Sequence, residues 1–205
     1  MLATGCTHGL LSGVPEPSQD RPVARIETRT GAEYGVCTDA GILFLGRQAT
    51  TGPCRVHYWL GSTPLVEDGE ILPWGGVFFL ADIDLKHQRA PVLERELRDD
   101  EAMVAMTWTG GDVETIDVER VRNDDVEGNV IAWPGRDLPP GTGIFVEVDK
   151  GYRLVGLVAG RLEVGGARYL VHTGIGEIRQ ALLTPRPIRQ PTRVRHRPDD
   201  ITVEK

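Results

Sequence analysis

The sequence has few side chains that serve as strong nucleophiles, and they are confined to one end of the chain. Among its 205 residues there are only three serines and three cysteines. All of them lie in the first third of the chain, at Ser12, Ser18, Ser62, Cys6, Cys37 and Cys54. Any catalytic mechanism built within residues 63–205 therefore has to work without a serine hydroxyl or a cysteine thiol.

The charge and the hydrophobic pattern exclude two classes of partner. The formal net charge at pH 7 is −7, with 30 acidic and 23 basic residues, whereas nucleic-acid-binding surfaces are strongly basic. No stretch approaches the roughly 18 consecutive apolar residues that a membrane-spanning helix requires. We therefore predict neither nucleic-acid binding nor a transmembrane helix.

Motifs for cofactors and metals are also lacking. The glycine-rich segments have neither the lysine of a phosphate-binding loop nor the strand-to-helix context of a dinucleotide site. Cys54 and His57 are two potential zinc ligands, but no second pair follows them. Residues at this spacing on a strand also point to opposite faces. The sequence predicts no cofactor and no metal site.

Glycine and proline, in contrast, are abundant and spread along the whole chain, with 25 and 14 copies. They indicate many turns and favour short strands over long helices. Residues 23–28 alternate as a half-buried strand does, while residues 175–183 carry apolar side chains at helical spacing. The composition predicts an all-β protein with a short C-terminal helix.

The most informative segment is a predicted β-hairpin in the C-terminal half. A Pro/Gly turn at residues 138–143 leads into a strand at 144–148, a charged turn follows at 149–151, and a second strand covers 152–159. The hairpin therefore has a tight loop, permissive for glycine conformations, immediately before its first strand.

This hairpin resembles the nucleophile region of trypsin-like serine peptidases, in which a Gly-Asp-Ser-Gly-Gly-Pro loop precedes the strand and a Leu-Val-Gly-Ile-Val-Ser run returns. Aligning the two without a gap matches residues 154–158 with the returning run and places Pro140 at the nucleophile. Upstream, Gln48 takes the position of the catalytic histidine. Asp82 takes that of the aspartate, with Asp84 as a poorer alternative.

The resemblance covers about residues 23–183 and implies a trypsin-like double β-barrel with a short C-terminal helix. It places the first barrel at about residues 23–92 and the second at about 101–183. Residues 1–22 are expected to form a flexible arm or tether, and the Pro/Arg-rich residues 184–205 a disordered tail.

The triad positions imply a loss of chemistry. Pro140 has no hydroxyl to attack a carbonyl and no N–H to donate to an oxyanion. Gln48 cannot take up a proton near neutral pH, and Asp82 without a histidine partner is expected to be a strand-end carboxylate bonded to backbone. We therefore predict a catalytically inactive homologue that binds or scaffolds a protein or peptide partner.

Two alternatives remain open. One is an active serine- or threonine-type peptidase that uses displaced residues, with Thr142 as the nucleophile. His57 and His172 lie in alternating strand patterns, so they are predicted to be packed or surface histidines and not bases. The other alternative is a structural subunit of an envelope or phage assembly, contacting its neighbours through the arm and the tail.

The cysteines carry two further hypotheses. Trypsin-like domains often have a disulfide that brackets the catalytic histidine, so the resemblance implies a Cys37–Cys54 bridge and an oxidising compartment. Two buried free thiols are the alternative.

Cys6 follows Ala3-Thr4-Gly5, small residues of the kind that precede the lipidated cysteine of bacterial lipoproteins. This predicts a lipid anchor on Cys6 and a location in the bacterial periplasm or outer envelope. Because only five residues precede Cys6, the hypothesis requires a start site upstream of Met1. An ordinary disordered N-terminus is the alternative.

Overall fold

The computed structural model describes residues 21–46, 51–83, 89–122, 128–148 and 151–185. Strands dominate these ranges, and a single short helix follows them. In chain order the elements are β1 (Val23–Thr28), β2 (Gly31–Thr38), β3 (Gly41–Leu45), β4 (Gly52–Leu60), β5 (Thr63–Gly75), β6 (Phe78–Asp82), β7 (Met103–Thr109), β8 (Asp112–Val118), β9 (Arg120–Val121), β10 (Asn129–Ala132), β11 (Gly143–Val148), β12 (Gly151–Val164), β13 (Ala167–His172) and α1 (Ile175–Leu183).

The first six strands form a closed antiparallel barrel in the order β1-β2-β3-β6-β5-β4. Strand β3, Gly-Ile-Leu-Phe-Leu, is buried along its whole length. Ile42 and Phe44 point into the barrel interior, whereas Leu43 and Leu45 pack against the second half of the chain. This double burial explains why the segment is a continuous apolar run and does not alternate.

The remaining strands form one antiparallel sheet in the order β8-β7-β11-β12-β13-β10-β9. Ala105 on β7 and Ile131 on β10 belong to the same buried cluster, although three other strands separate β7 from β10 in the sheet. The sheet must therefore wrap around a common interior, as a second barrel does. Within the described residues β8 and β9 are its edges. The predicted all-β, trypsin-like double barrel with a short C-terminal helix is confirmed.

The predicted hairpin and helix are also present. Strands β11 and β12 pair antiparallel from Val148 opposite Gly151 to Gly143 opposite Leu157. Helix α1 occupies the predicted residues. Within the described ranges no helix has both the length and the apolar character needed to cross a membrane.

The segment between β6 and β7, of which residues 89–102 are described and are called the linker strap, joins the two halves together with a shared core. The amide of Ala90 donates to the Cys37 carbonyl in the first barrel, while Leu93 and Leu154 are linked by a 3.0 Å hydrogen bond to the second. Arg179 of α1 donates to the carbonyl oxygen of Leu93 through Nε at 3.0 Å. These contacts fix the second half, and with it the loop before β11, against the first barrel.

Candidate functional site

The loop before β11 is held tightly against the first barrel. Gly141 has a φ of +87°, and a Cβ built on it would lie 1.8 Å from the carbonyl oxygen of Tyr34 on β2. Only glycine fits this position, because the left-handed backbone and the close approach both exclude a side chain. The loop that corresponds to the nucleophile loop of trypsin-like peptidases therefore docks directly onto β2.

Residues 139–142 of the loop have no N–H groups left for a substrate. Pro139 and Pro140 have none. The N–H of Gly141 donates to the Val158 carbonyl at 2.8 Å, and that of Thr142 donates to the Pro139 carbonyl at 3.1 Å. An oxyanion hole requires preorganised donors aimed at the reacting oxygen. Between residues 139 and 142 every backbone donor is either missing or already bonded.

Thr142 is not placed to act as a nucleophile. The residue is 1% exposed, and its hydroxyl donates to the hydroxyl of Thr107 at 3.2 Å. Its carbonyl accepts the N–H of Val158 at 2.9 Å. Both polar ends of Thr142 thus serve the packing of β7, β11 and β12, and the hydroxyl does not reach a surface where a substrate could meet it.

Asp82 lies at the wrong end of its strand for a catalytic role. In the β3–β6 pairing Leu45 lies opposite Phe78 and Ile42 lies opposite Ala81. Asp82 therefore stands near the start of β3, about 13 Å along β6 from Phe78 at roughly 3.3 Å per residue. Gln48 follows the end of β3 in the sequence, but it lies outside the described residues, as do Asp84 and Cys6.

This register corrects the interpretation of Asp82 as the aspartate of a triad. A carboxylate that orients a group beyond the end of β3 has to lie at the start of β6. The chain reads Gly75-Gly76-Val77-Phe78 there, with no ionisable side chain. Asp82 itself is 4% exposed and pairs across the sheet with Glu70, which fits a strand-end carboxylate.

The predicted disulfide between Cys37 and Cys54 is not formed, and both are buried free thiols. Cys37 donates its N–H to Pro22, just before β1, whereas Arg55, the neighbour of Cys54, pairs with Glu27 near the end of β1. The two cysteines thus flank opposite ends of a strand about 17 Å long. A disulfide requires Cα atoms within about 7 Å of each other.

The two described histidines have structural partners. On β4, His57 Nε2 lies 3.3 Å from the Glu27 carboxylate, and its ring contacts Trp108 edge-on. Cys54 on the same strand belongs to the barrel core instead, so these two side chains cannot share a metal. Hydrogen bonds from Arg25, and secondarily from His57, lower the pKa of Glu27. His172 is buried, and burial lowers its pKa.

The fold defined by this barrel, wrapped sheet and helix is that of the trypsin-like serine proteases. The chain is similar to kallikrein-related peptidase 10, with a TM-score of 0.56 and 12% identity over 80% of this chain and 94% of that one. It is similar to the inactive form of the Rv3671c protease of M. tuberculosis, with a TM-score of 0.54 and 13% identity over 80% and 88%. A serine protease of human pathogenic astrovirus gives a TM-score of 0.50 and 16% identity over 75% and 90%.

No family model matches the sequence, and neither does any curated protein. At these low identities the likeness to solved proteases shows the fold alone. Whether the chain has lost the activity of those proteases has to be argued from its own residues.

The displaced register of Asp82 had a signal in the sequence. Gly75 ends β5 and Gly76 begins the turn to β6, with φ values of +144° and +57°. A Gly-Gly pair between two apolar runs is typical of a tight hairpin turn. Such a turn predicts that the next strand begins directly after the glycines, and Asp82 then lies at the end of β6.

The thiol chemistry gives a direct test. Burial raises the pKa of Cys37 to about 12 and that of Cys54 to about 11, so neither forms the reactive thiolate near neutral pH. We expect iodoacetamide at pH 8 to leave both unmodified in the native protein and to alkylate both in 8 M urea without reductant, as measured by peptide mass spectrometry. A Cys37–Cys54 disulfide peptide in the non-reduced digest would contradict the structure.

Proposed function

We propose that this protein is a catalytically inactive trypsin-like peptidase homologue that acts as a binding or scaffolding module in the bacterial cell envelope. The hydrogen bonding of residues 139–142 carries this proposal. The loop keeps the close packing that the fold requires, yet it offers neither a nucleophile nor a pair of oxyanion donors. A fold that is retained while the loop offers no free donor or nucleophile supports a role in binding.

The alternative of an active threonine peptidase conflicts with the position of Thr142. Its hydroxyl is buried against Thr107, which is itself 3% exposed. Neither of the described histidines lies in contact with that pair. His57 contacts Glu27 and Trp108, and His172 contacts the carbonyl of Thr173. Nothing in the described structure would activate the hydroxyl.

The absence of activity is the first expected outcome. The purified protein should show no labelling by a fluorophosphonate probe and no cleavage of a broad peptide library above the buffer rate. Thr142→Val, which removes the hydroxyl and nearly preserves the shape, should behave identically. Labelling or cleavage by the wild type that disappears in Thr142→Val would establish an active threonine enzyme and overturn the proposal.

The proposed ligand is an extended peptide with apolar side chains that binds the end of the first barrel beside this loop. Tyr34, Leu45 and Phe78 stand at the same level on adjacent strands β2, β3 and β6, and Gly141 lies against Tyr34. Val77, next to Phe78, is 62% exposed. Leu45 and Phe78 are themselves buried in the core, so Val77 provides the exposed apolar side chain here, beside Glu177 and Gln180 of α1.

A matched pair of variants tests where the proposed peptide binds. Val77→Asp places a charge on the proposed surface, whereas Val66→Asp places one on β5 at a similarly exposed position, 54% against 62%. We expect Val77→Asp to weaken the binding of peptides selected from a random library by at least about tenfold, because the introduced carboxylate must lose its water when the peptide covers it. Val66→Asp should change the affinity by less than about twofold. Equal effects of the two variants, in fluorescence anisotropy titrations, would place the peptide elsewhere.

The envelope location rests on the small residues before Cys6. If Cys6 carries a lipid, cells that express the protein from its own locus should incorporate an alkynyl palmitate analogue into it, and it should fractionate with membranes. Cys6→Ala should abolish both properties, while Cys37→Ala, a change at a buried thiol, should leave them intact. Wild-type protein without label in the soluble fraction would disprove the anchor.

A further inference from the structure

A cavity lies on the second half of the molecule, away from the loop at residues 139–142. It has a volume of about 560 Å³ and opens between the linker strap, β9, β10, β13 and the start of α1. Its charged lining residues are four arginines and one glutamate: Arg95, Arg120, Arg122, Arg179 and Glu96. The carboxylates of Glu96, Asp99, Glu101 and Glu177 lie beside these groups, so the cavity offers a set of guanidinium donors whose charge is largely balanced.

The arginines are held in place by the protein. Arg179 donates to the carbonyls of Leu93 and Arg95. Arg95 pairs with Glu101, while Arg120 and Arg122 both pair with Asp99 in the linker strap. Each of these contacts uses only part of the five N–H donors of a guanidinium group. The remaining donors are available to a ligand, and the fixed side chains lose little conformational entropy when it binds.

A buried histidine borders the same cavity. His172 is 7% exposed, and its Nδ1 lies 2.8 Å from the Thr173 carbonyl. Since a carbonyl only accepts, Nδ1 carries the proton and donates it. Gly156 packs against this edge of the ring, where an added Cβ would lie 2.2 Å from Nδ1. Among the described residues Nε2 makes no hydrogen bond, and His172 is one of the residues that line the cavity.

The first turn of α1 supplies backbone donors at the same place. The N–H of Gly174 is taken by the Glu177 carboxylate at 2.6 Å. The N–H groups of Ile175 and Gly176 lie in the first turn, where no intrahelical acceptor exists, and both residues line the cavity. A Cβ built on Gly176 would meet nothing within 4 Å, so the backbone there is open. Helix N-termini favour anions through these donors and the helix dipole.

We propose that this cavity binds phosphate, either as the free ion or as the phosphoryl group of a small ligand. Guanidinium forks, backbone N–H groups and an imidazole that can become protonated together match a tetrahedral dianion. The proposal is independent of the function proposed for the peptide surface, because none of its residues belongs to that surface.

Ligand binding should be coupled to protonation of His172. Burial lowers its pKa and the charge of Arg120 lowers it further, while the Thr173 carbonyl and Glu177 oppose this shift. Arg95, Arg122 and Arg179 also face the cavity and disfavour the imidazolium, whereas Glu96 favours it. A bound dianion adds negative charge beside the ring, so it raises the histidine pKa and binds more tightly as the pH falls. Sulfate is the suitable probe because its own charge does not change over this range.

The test is calorimetric titration of the full chain at 50 mM NaCl with inorganic phosphate, glycerol phosphate and acetate. We expect phosphate or its monoester to bind at least tenfold more tightly than acetate. If free phosphate binds as tightly as the ester, the site recognises the ion itself, and a tenfold preference for the ester identifies a phosphorylated ligand. No saturable binding of either below about 10 mM overturns the proposal.

Variants localise the binding. Arg122→Gln removes a guanidinium that is 70% exposed, so the protein should still fold, and we expect at least a tenfold loss of phosphate affinity. Arg161→Gln, at an exposed ion pair with Asp137 on β12, should change the affinity by less than twofold. Equal losses in the two variants would show non-specific attraction and overturn the proposal.

A spectroscopic measurement separates a built site from a general charge effect. In NMR titrations, saturating sulfate should raise the pKa of His172 in the wild type, and sulfate should bind more tightly at pH 6 than at pH 8. The ring proton resonances of His57, which lies on the first barrel beside Glu27, should not move when sulfate is added at constant pH. An unchanged His172 pKa, or equal sulfate-induced changes in the resonances of both histidines, would contradict the proposed site.

Discussion

Strand β3 lies between two hydrophobic cores, and the relative position of the two halves of the chain depends on this double burial. Ile42 and Phe44 fill the interior of the first barrel. Leu43 and Leu45, which alternate with them, fill the junction with the second half. Phe145 and Leu157 of the second half belong to the same junction cluster as Leu43. Because interiors are close-packed, the second sheet has little freedom to shift relative to β3. The loop before β11 is consequently pressed against β2.

That docking depends on packing and is separate from any chemistry of the loop. The close contact between Gly141 and Tyr34 is a packing requirement, and it is satisfied whether or not a nucleophile precedes the glycine. Catalysis requires more, namely donors and a base aimed at a substrate atom. In this chain Pro139 and Pro140 supply no N–H, and the amides of Gly141 and Thr142 are bonded internally. Stability and catalysis therefore depend on different atoms of the same loop.

The cavity and the end of the first barrel near Phe78 differ in the number of charged side chains that line them. At the barrel end Glu177 lines the same surface as Val77 and Phe78, and Val77 contributes exposed apolar area there. In the cavity, the linker strap supplies carboxylates that hold Arg95, Arg120 and Arg122 in position. Asp99 and Glu101 thus orient the guanidinium groups while balancing part of their charge. The pKa of Glu101, lowered to about 2 by its hydrogen bond from Arg95, reflects this arrangement.

The sequence by itself determined the local elements and the residue types available in the loop before β11. The β11–β12 hairpin, the helix at Ile175–Leu183 and the all-β class follow from turn residues and hydrophobic periodicity, and a proline has no hydroxyl or N–H in any fold. The tertiary structure alone decided which residues meet. Strand register set Asp82 at the far end of β6, and the span of β1 separated Cys37 from Cys54. These are long-range pairings, which the local pattern does not encode, since a shift by two or four residues leaves the same alternation of side chains in place.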